Sequence, residues 1–321
     1  MLFYRFVRTK LRNVSTAAVH LLEHKAFIPV MNSGAGGLVG SESPYIHCFN
    51  EPKHCFNEPK GTLNQAHSMD KRFFSLFNLT EDQAIALLDT PQDQISENDS
   101  RYIAASHLVN FPTEQSIQAL IRAVQQTDPS LDNRIVRRKS VETLGRLQAQ
   151  QALPVIQTCL SDEDCYTVEN AVWAIGEIGT EDAALLEEVA QLLEKPGQTY
   201  RVIIHTLAKM NYLPAIDRIR KFADSSDLPT ASAAITTICR FTGDYSQMDR
   251  VVAMLQNSNV LARRLSIQDL IDAKYYDAIP EIAKCPVSLV FRLRGIRMLA
   301  ESGVSSGAIA FSTIQPYLEQ S

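Results

Sequence analysis

The chain has 321 residues and a mass of 35.8 kDa; 45% of its residues are hydrophobic and 21% are charged. That length fills one large domain or two ordinary ones and buries a sizeable core. A formal charge of -5 argues against a nucleic-acid binder held by phosphate neutralisation. No apolar stretch is long and clean enough to span a bilayer. Six cysteines without a CxxC pair are too few for a disulfide scaffold and point to a reducing compartment.

Residues 1–68 differ from the rest. They hold 7 Lys+Arg and 4 Asp+Glu, net +3, against 24 and 32, net -8, in residues 69–321. The segment MNSGAGGLVGSESP is turn and linker material. HCFNEPK then occurs twice in succession, at His47–Lys53 and His54–Lys60, and Pro52 and Pro59 break any helix there. The tandem reads as a short duplication under little constraint. A metal site from His47, Cys48, His54 and Cys55 is the sharper alternative, but no partners that would orient such ligands are visible, and no metal is assigned. The basic, Ser/Thr-containing start, MLFYRFVRTKLRNVSTAAVHLLEHK, suits an organelle transit peptide. The other reading is that translation starts at Met69. Residues 1–68 are therefore expected to form a disordered, transit-like or non-native extension.

A repeat ladder organises the remainder. Leu144, Ile175, Leu207, Ile238, Leu270 and Leu299 are spaced by 31, 32, 31, 32 and 29 residues. Three positions before them stand Val141, Val172, Ile204, Ile235, Ile267 and Ile296. Such pairs are one stripe of an amphipathic helix, and Ala105 with Leu108 extends the register. Second helical patterns lie between: 117–124, 154–160, 185–193, 214–222, 248–255 and 280–284. Pro154, Pro214 and Pro280 suit a helical first turn. Gly145, Gly176, Gly179 and Gly243 fall where glycines cap helix C-termini. No period-two alternation and no Asn-Gly or Asp-Gly hairpin signal appears. The expected fold of 69–321 is all-α, an α-solenoid of six to seven short HEAT-like helix pairs.

Each first helix opens on a recurring polar signature. Seven residues before the ladder position stand Arg101, Arg137, Val168, Tyr200, Ala231, Arg263 and Arg292. Six before stand Tyr102, Arg138, Glu169, Arg201, Ser232, Arg264 and Leu293. A structural arginine early in a HEAT helix is the plain explanation. The doublets at 137–138 and 263–264 exceed it: adjacent helical residues point about 100° apart, so one arginine serves the stack while the other faces a ligand. An arginine-lined edge in an acidic domain suits a carboxylate-bearing ligand. Glu142, Trp173 and His205 share one place in successive repeats. Trp173 is either packing filler or an aromatic wall for a flat ligand. Cys159, Cys239 and Cys285 read as small core residues, and Cys165 as the thiol open to chemistry.

Enzyme signatures are absent: no GxGxxG after a strand, no P-loop, no GxSxG and no HExxH. The lack of any His-Glu dipeptide argues against di-iron HEAT hydroxylases, and the acidic balance against HEAT-like DNA glycosylases.

The segments DSRYIAA (99–105), VRRKSVETLGRL (136–147) and ALPVIQTCLSDEDCYTVENAVWAIGEIG (152–179) resemble the E/F-type phycobilin lyases, HEAT-like proteins of phycobilisome-containing organisms. The match is most specific at 99–179; later repeats agree only by ladder. The resemblance implies attachment of a linear tetrapyrrole, a phycobilin, to a cysteine of a phycobiliprotein alpha or beta subunit through a thioether, with bond isomerisation in some members. The bilin is substrate, not a resident cofactor. The partners implied are that subunit and, in two-chain members, a second lyase subunit, with no nucleic acid and no membrane. The setting would be cyanobacterial cytoplasm, or plastid stroma if 1–68 is a transit peptide.

The acceptor supplies the nucleophile, so the lyase must orient and move protons. Arg137 and Arg138 are expected to hold propionates, with Arg201, Arg263 and Arg264 added on the ladder alone. Tyr102, Tyr166 and Trp173 are expected to stack on the bilin. Glu169 and Asp164 are expected at the pyrrole nitrogens or in acid–base work, and His205 in proton transfer. Two competing readings are a non-enzymatic adaptor that grips phycobiliproteins during assembly or turnover and a generic HEAT scaffold. The first binds phycobiliprotein without covalent transfer; the second does neither.

A chain beginning at Met69 should keep its helical content and thermal midpoint. Aggregation, or a markedly lower midpoint in circular dichroism, would show that residues 1–68 contribute to the fold.

Overall fold

A computed structural model of the protein describes residues 79–96 and 99–319. The expectations for 1–68, including the His47–Cys55 cluster, lie outside the described residues. Among the described residues there are α-helices joined by turns and short 3-10 segments, and no strand. They fall into two compact units that divide after Gln247.

The first unit contains α1 (Glu81–Asp89), α2 (Arg101–His107), α3 (Glu114–Gln125), α4 (Leu131–Arg146), α5 (Leu153–Thr158), α6 (Cys165–Ile178), α7 (Ala183–Gln191), α8 (Tyr200–Lys209), α9 (Ile216–Arg220) and α10 (Leu228–Thr242). The second contains α11 (Met248–Ala253), α12 (Val260–Asp272), α13 (Ile279–Lys284), α14 (Leu289–Ser306) and α15 (Phe311–Glu319). The ladder helices pack side by side, α2 on α4, α4 on α6, α6 on α8 and α8 on α10 in the first unit, and α12 on α14 in the second.

Caps set where the helices begin. Thr80 and Gln83 close a capping box on α1. Ser100, Thr113, Ser130, Asp164, Asp182, Asp227 and Asn259 each accept from a first-turn amide of the helix that follows. Pro154 and Pro280 sit in the first turns of α5 and α13, and Pro214 opens a 3-10 turn before α9.

The ladder residues form the core. Leu144, Ile175, Leu207, Leu270 and Leu299 are fully buried, as are Val141, Val172 and Ile204. Ile238 is the exception: half-buried, it lines a cleft with Arg220, Asp224 and Thr242. The ladder carbonyls have a second task. The amides of Ala149, Tyr212 and Tyr275 donate to Leu144, Leu207 and Leu270 respectively, the long bond of a Schellman turn.

The glycines need a correction. Gly179 and Gly243 do cap α6 and α10. Gly145 and Gly176 instead lie inside α4 and α6 and are demanded by close approach. A Cβ on Gly145 would stand 2.9 Å from Ala174 Cα and 2.9 Å from the Trp173 ring, and one on Gly176 would stand 2.9 Å from Thr206 Oγ1. The left-handed turn after α4, α8 and α12 falls on Gln148, Asn211 and Lys274, with φ of 51°, 52° and 54°.

Replacing Leu207 or Ile175 by Ala should cost roughly 2–5 kcal/mol in denaturant melts. Gly145→Ala should cost roughly 1–3 kcal/mol through overpacking. Lys274→Gly should gain about 0.5–1 kcal/mol by relieving a left-handed side chain. Near-wild-type stability of both Leu207→Ala and Ile175→Ala would show the helix register to be wrong.

Candidate functional site

The arginine edge is first a helix-capping device. The last carbonyls of a helix have no intrahelical partner and carry partial negative charge. Arg101 Nε donates to Leu88 O at 3.0 Å and Arg137 Nε to Val124 O at 2.8 Å. Tyr200 Oη donates to Lys195 O at 2.9 Å, Arg263 Nη1 to the Asn257 and Ser258 carbonyls, and Arg292 Nη1 to Cys285 O at 3.4 Å. Each acceptor ends the helix or turn preceding the donor's own helix. The recurrence at this position is thus a packing requirement of the repeat.

Several residues expected at a ligand are instead engaged within the stack. Arg137 is buried, pairs with Asp162 and lies 3.5 Å from Cys159 Sγ, so it serves the stack and not an open edge. Arg201 is buried and donates to Pro229 O at 2.6 Å on α10. Trp173 is only 6% exposed and fills the space over Gly145, so its ring offers no open wall. His205 is likewise buried within α8 and does not reach the exposed edge. Arg263 and Arg264 belong to the second unit; Arg264 lies over the Phe291 ring at 5.6 Å. Cys165 is exposed at the first position of α6, while Cys159, Cys239 and Cys285 are buried.

Two tyrosines stay exposed on α2 and α6, each backed by a partly buried cation of α4. Arg138 clasps Asp164 with two bonds of 2.5 Å, Nε to Oδ2 and Nη2 to Oδ1. The same guanidinium lies 4.8 Å from the centroid of Tyr166, which is 48% exposed. One residue on, Lys139 Nζ lies 5.1 Å from the centroid of Tyr102, which is 37% exposed. Lys139 is in turn held by Glu142 at 2.6 Å, and Glu142 also takes Arg146 at 2.9 Å. Glu169, half-buried one turn after Tyr166, accepts from Thr199 Oγ1 at 2.9 Å. Arg138 and Glu169 therefore do not pair with each other, although they share a ladder position.

Of the two roles expected for Asp164, at the pyrrole nitrogens or in acid–base work, its surroundings suit a fixed anion. Burial is the largest single influence and raises its pKa. Hydrogen bonds from Arg138 and Thr167, with the Arg138 charge, together outweigh it and hold the carboxyl below its usual range. Its Oδ2 also accepts from Thr167 N at 3.1 Å and Thr167 Oγ1 at 2.6 Å, which caps α6. A carboxylate so engaged positions Arg138 and does not donate protons at neutral pH. Lys139, the ion-pair role of Glu142, and Thr199 were not marked by any motif in the sequence. The first two stand beside Arg138 in RRKSVE and could have been found by asking which cation faces Tyr102 across the helix pair.

Family comparisons agree with this architecture. A model described as HEAT repeats matches residues 130–195, and one described as PBS lyase HEAT-like repeat matches 100–126. The complex of CpcE and CpcF of phycocyanin lyase from Nostoc sp. shares the fold, with a TM-score of 0.64 and 23% identity, covering 76% of this chain and 95% of that one. Fold and repeats together define a HEAT-like helical-repeat protein.

Relatives narrow the class. "Uncharacterized phycocyanin operon protein Y" of Pseudanabaena tenuis is 70% identical over 253 residues, 79% of this chain and 60% of the relative. The bilin biosynthesis protein CpeY of Synechococcus sp. is 35% identical, covering 66% and 51%. The phycocyanobilin lyase subunit alpha of Synechocystis sp. is 30% identical, covering 68% and 85%. The chain belongs to the E/F-type phycobilin lyase family. It spans only 60% and 51% of the lengths of the first two relatives.

The Asp164 geometry predicts a pH window. A carboxyl whose folded pKa is depressed stabilises the fold fully above its unfolded value, about 3.9, and loses that contribution as pH falls through the lower folded value. Asp164→Asn keeps a capping side chain but removes the charge. Its melting temperature should lie below wild type at neutral pH, and the gap should close as the pH falls below about 4. A gap unchanged between pH 7 and 3 would show that the ion pair contributes nothing.

Proposed function

We propose that this chain takes part in attaching a linear tetrapyrrole to a cysteine of a phycobiliprotein subunit. The acceptor's S–H adds across a carbon–carbon double bond of the bilin: a C–S bond forms, the thiol proton passes to carbon, and nothing leaves. The observation that supports this reading is the exposed edge of Tyr102 and Tyr166, each ring backed by a cation from α4. A cation on one ring face leaves the other face to stack on a flat conjugated system. Arg138, held in plane by Asp164 through Nε and Nη2, offers its remaining N–H groups to a propionate, and Glu169 faces pyrrole nitrogens that become cationic on protonation. α4 and α6 are packed neighbours, roughly 8–10 Å apart. That is about the reach of a tetrapyrrole folded into a ring with its propionates adjacent.

In this reading Asp164 is a positioning residue. It fixes the plane of Arg138 against Tyr166 and leaves transfer of protons to Glu169 and the bilin itself. A second lyase subunit is a further proposed partner, and the cytoplasm of a cyanobacterium the proposed setting. Among the described residues no helix is long and apolar enough to cross a membrane.

The test is co-expression of the chain with bilin-synthesis enzymes and apo-phycobiliprotein subunits, read as zinc-enhanced fluorescence of the denatured acceptor. The wild type should transfer bilin. Tyr166→Leu and Glu169→Gln should each lower transfer about tenfold or more with melting unchanged, because an exposed contact is worth only ~0–1 kcal/mol to the fold. Arg138→Lys should also be impaired, since lysine lacks the bidentate fork. Normal transfer by all three variants would move the site away from this edge; binding of the acceptor without covalent transfer would favour the adaptor.

A further inference from the structure

The second unit carries an edge built on the same plan but without the neutralising carboxylates. In the first unit the arginine doublet is neutralised: Arg137 by Asp162 and Arg138 by Asp164. In the second unit no Asp or Glu occurs from Asn257 to Gln268 or from Cys285 to Ala300. Those stretches hold Arg263, Arg264, Arg292, Arg294 and Arg297. Arg297 pairs with Glu301. Among the described residues, no salt bridge involves the other four.

Geometry gathers these cations. α12 packs on α14, and Arg264 of α12 lies over Phe291 of α14. Arg263 and Arg292 are anchored by backbone carbonyls at Asn257, Ser258 and Cys285, which fixes their positions without cancelling their charge. Arg294 is exposed. Beside them the first residues of the two helices are aliphatic and open to solvent: Val260 at 44%, Leu289 at 45% and Val290 at 45%.

We infer that this edge is a docking surface for an acidic protein surface that also presents apolar side chains. In the proposed reaction, on which this inference rests, that partner is the phycobiliprotein acceptor subunit. Charge complementarity names an anionic partner. The aliphatic row selects protein over nucleic acid, because a phosphate backbone gives exposed Val and Leu nothing to bury against, while arginine among apolar residues is typical of protein interfaces. The edge thereby assigns acceptor capture to α12 and α14.

The experiment uses the full chain, a purified apo-phycobiliprotein subunit, free bilin and a short DNA duplex as probes. Acceptor affinity is measured by titration at low and at about 0.5 M salt, where charge steering is screened. Bilin uptake by the chain alone is read separately by visible absorbance. Arg294→Glu and Val290→Ser alter exposed side chains; Arg264→Gln is included with a melting control. Acceptor binding by wild type should weaken with salt. The Arg294→Glu/Val290→Ser double variant should bind the acceptor about tenfold or more weakly, with bilin uptake and melting unchanged. Unchanged acceptor affinity in that variant overturns the inference alone. Loss of bilin uptake with acceptor affinity intact overturns it by assigning the edge to the bilin. Tighter binding of DNA than of acceptor overturns it in favour of nucleic acid. If wild type binds neither bilin nor acceptor, the proposed reaction fails and this inference falls with it.

Discussion

The structure depends on the contact of one ladder helix with the next. A single helix pair has one apolar stripe and nothing of its own to bury it against. Val141 and Leu144 on α4 and Val172 and Ile175 on α6 are fully buried because each row closes the other. The approach is tight enough that Gly145 leaves no room for a methyl group. Everything polar is arranged around that constraint. The starts of the ladder helices are brought together, and preceding helices end beside them with unsatisfied carbonyls.

This accounts for what the amino-acid pattern could and could not convey. Helix periodicity survives in a single chain because core spacing is a one-dimensional property, so the ladder from Ala105 to Leu299 was legible. The arginine recurrence was equally visible, but its meaning was not. Arg137 donating to Val124 and an arginine donating to a propionate leave the same mark in the sequence; only the direction of the side chain separates them. Asp164 is a similar case. Its place in DEDCYT identifies an acidic turn, but not that Arg138, on the neighbouring ladder helix, would engage both of its oxygens. Lys139 was missed because its role depends on Tyr102, which belongs to a different repeat.

Trp173 and His205 show how repeat position can mislead. They occupy the same ladder place as Glu142, and all three are buried. In a stack of helices the position two before the ladder residue is turned into the stack, not toward solvent. Its chemical variety reflects its surroundings: Glu142 gathers Lys139 and Arg146 of its own helix, and Trp173 lays a large ring over Gly145.

The double duty of Asp164 couples local order to surface chemistry. The carboxylate that caps the first turn of α6 is the one that holds Arg138 against Tyr166. Fraying of that turn would release the cap, turn the guanidinium loose and uncover the ring in one event. Any molecule that settles on the Tyr166 face while Arg138 is in place must therefore also suppress opening of the helix start. The Thr167 amide, which donates to the capping carboxylate, becomes a reporter of occupancy, and binding and helix nucleation draw on a single conformational equilibrium.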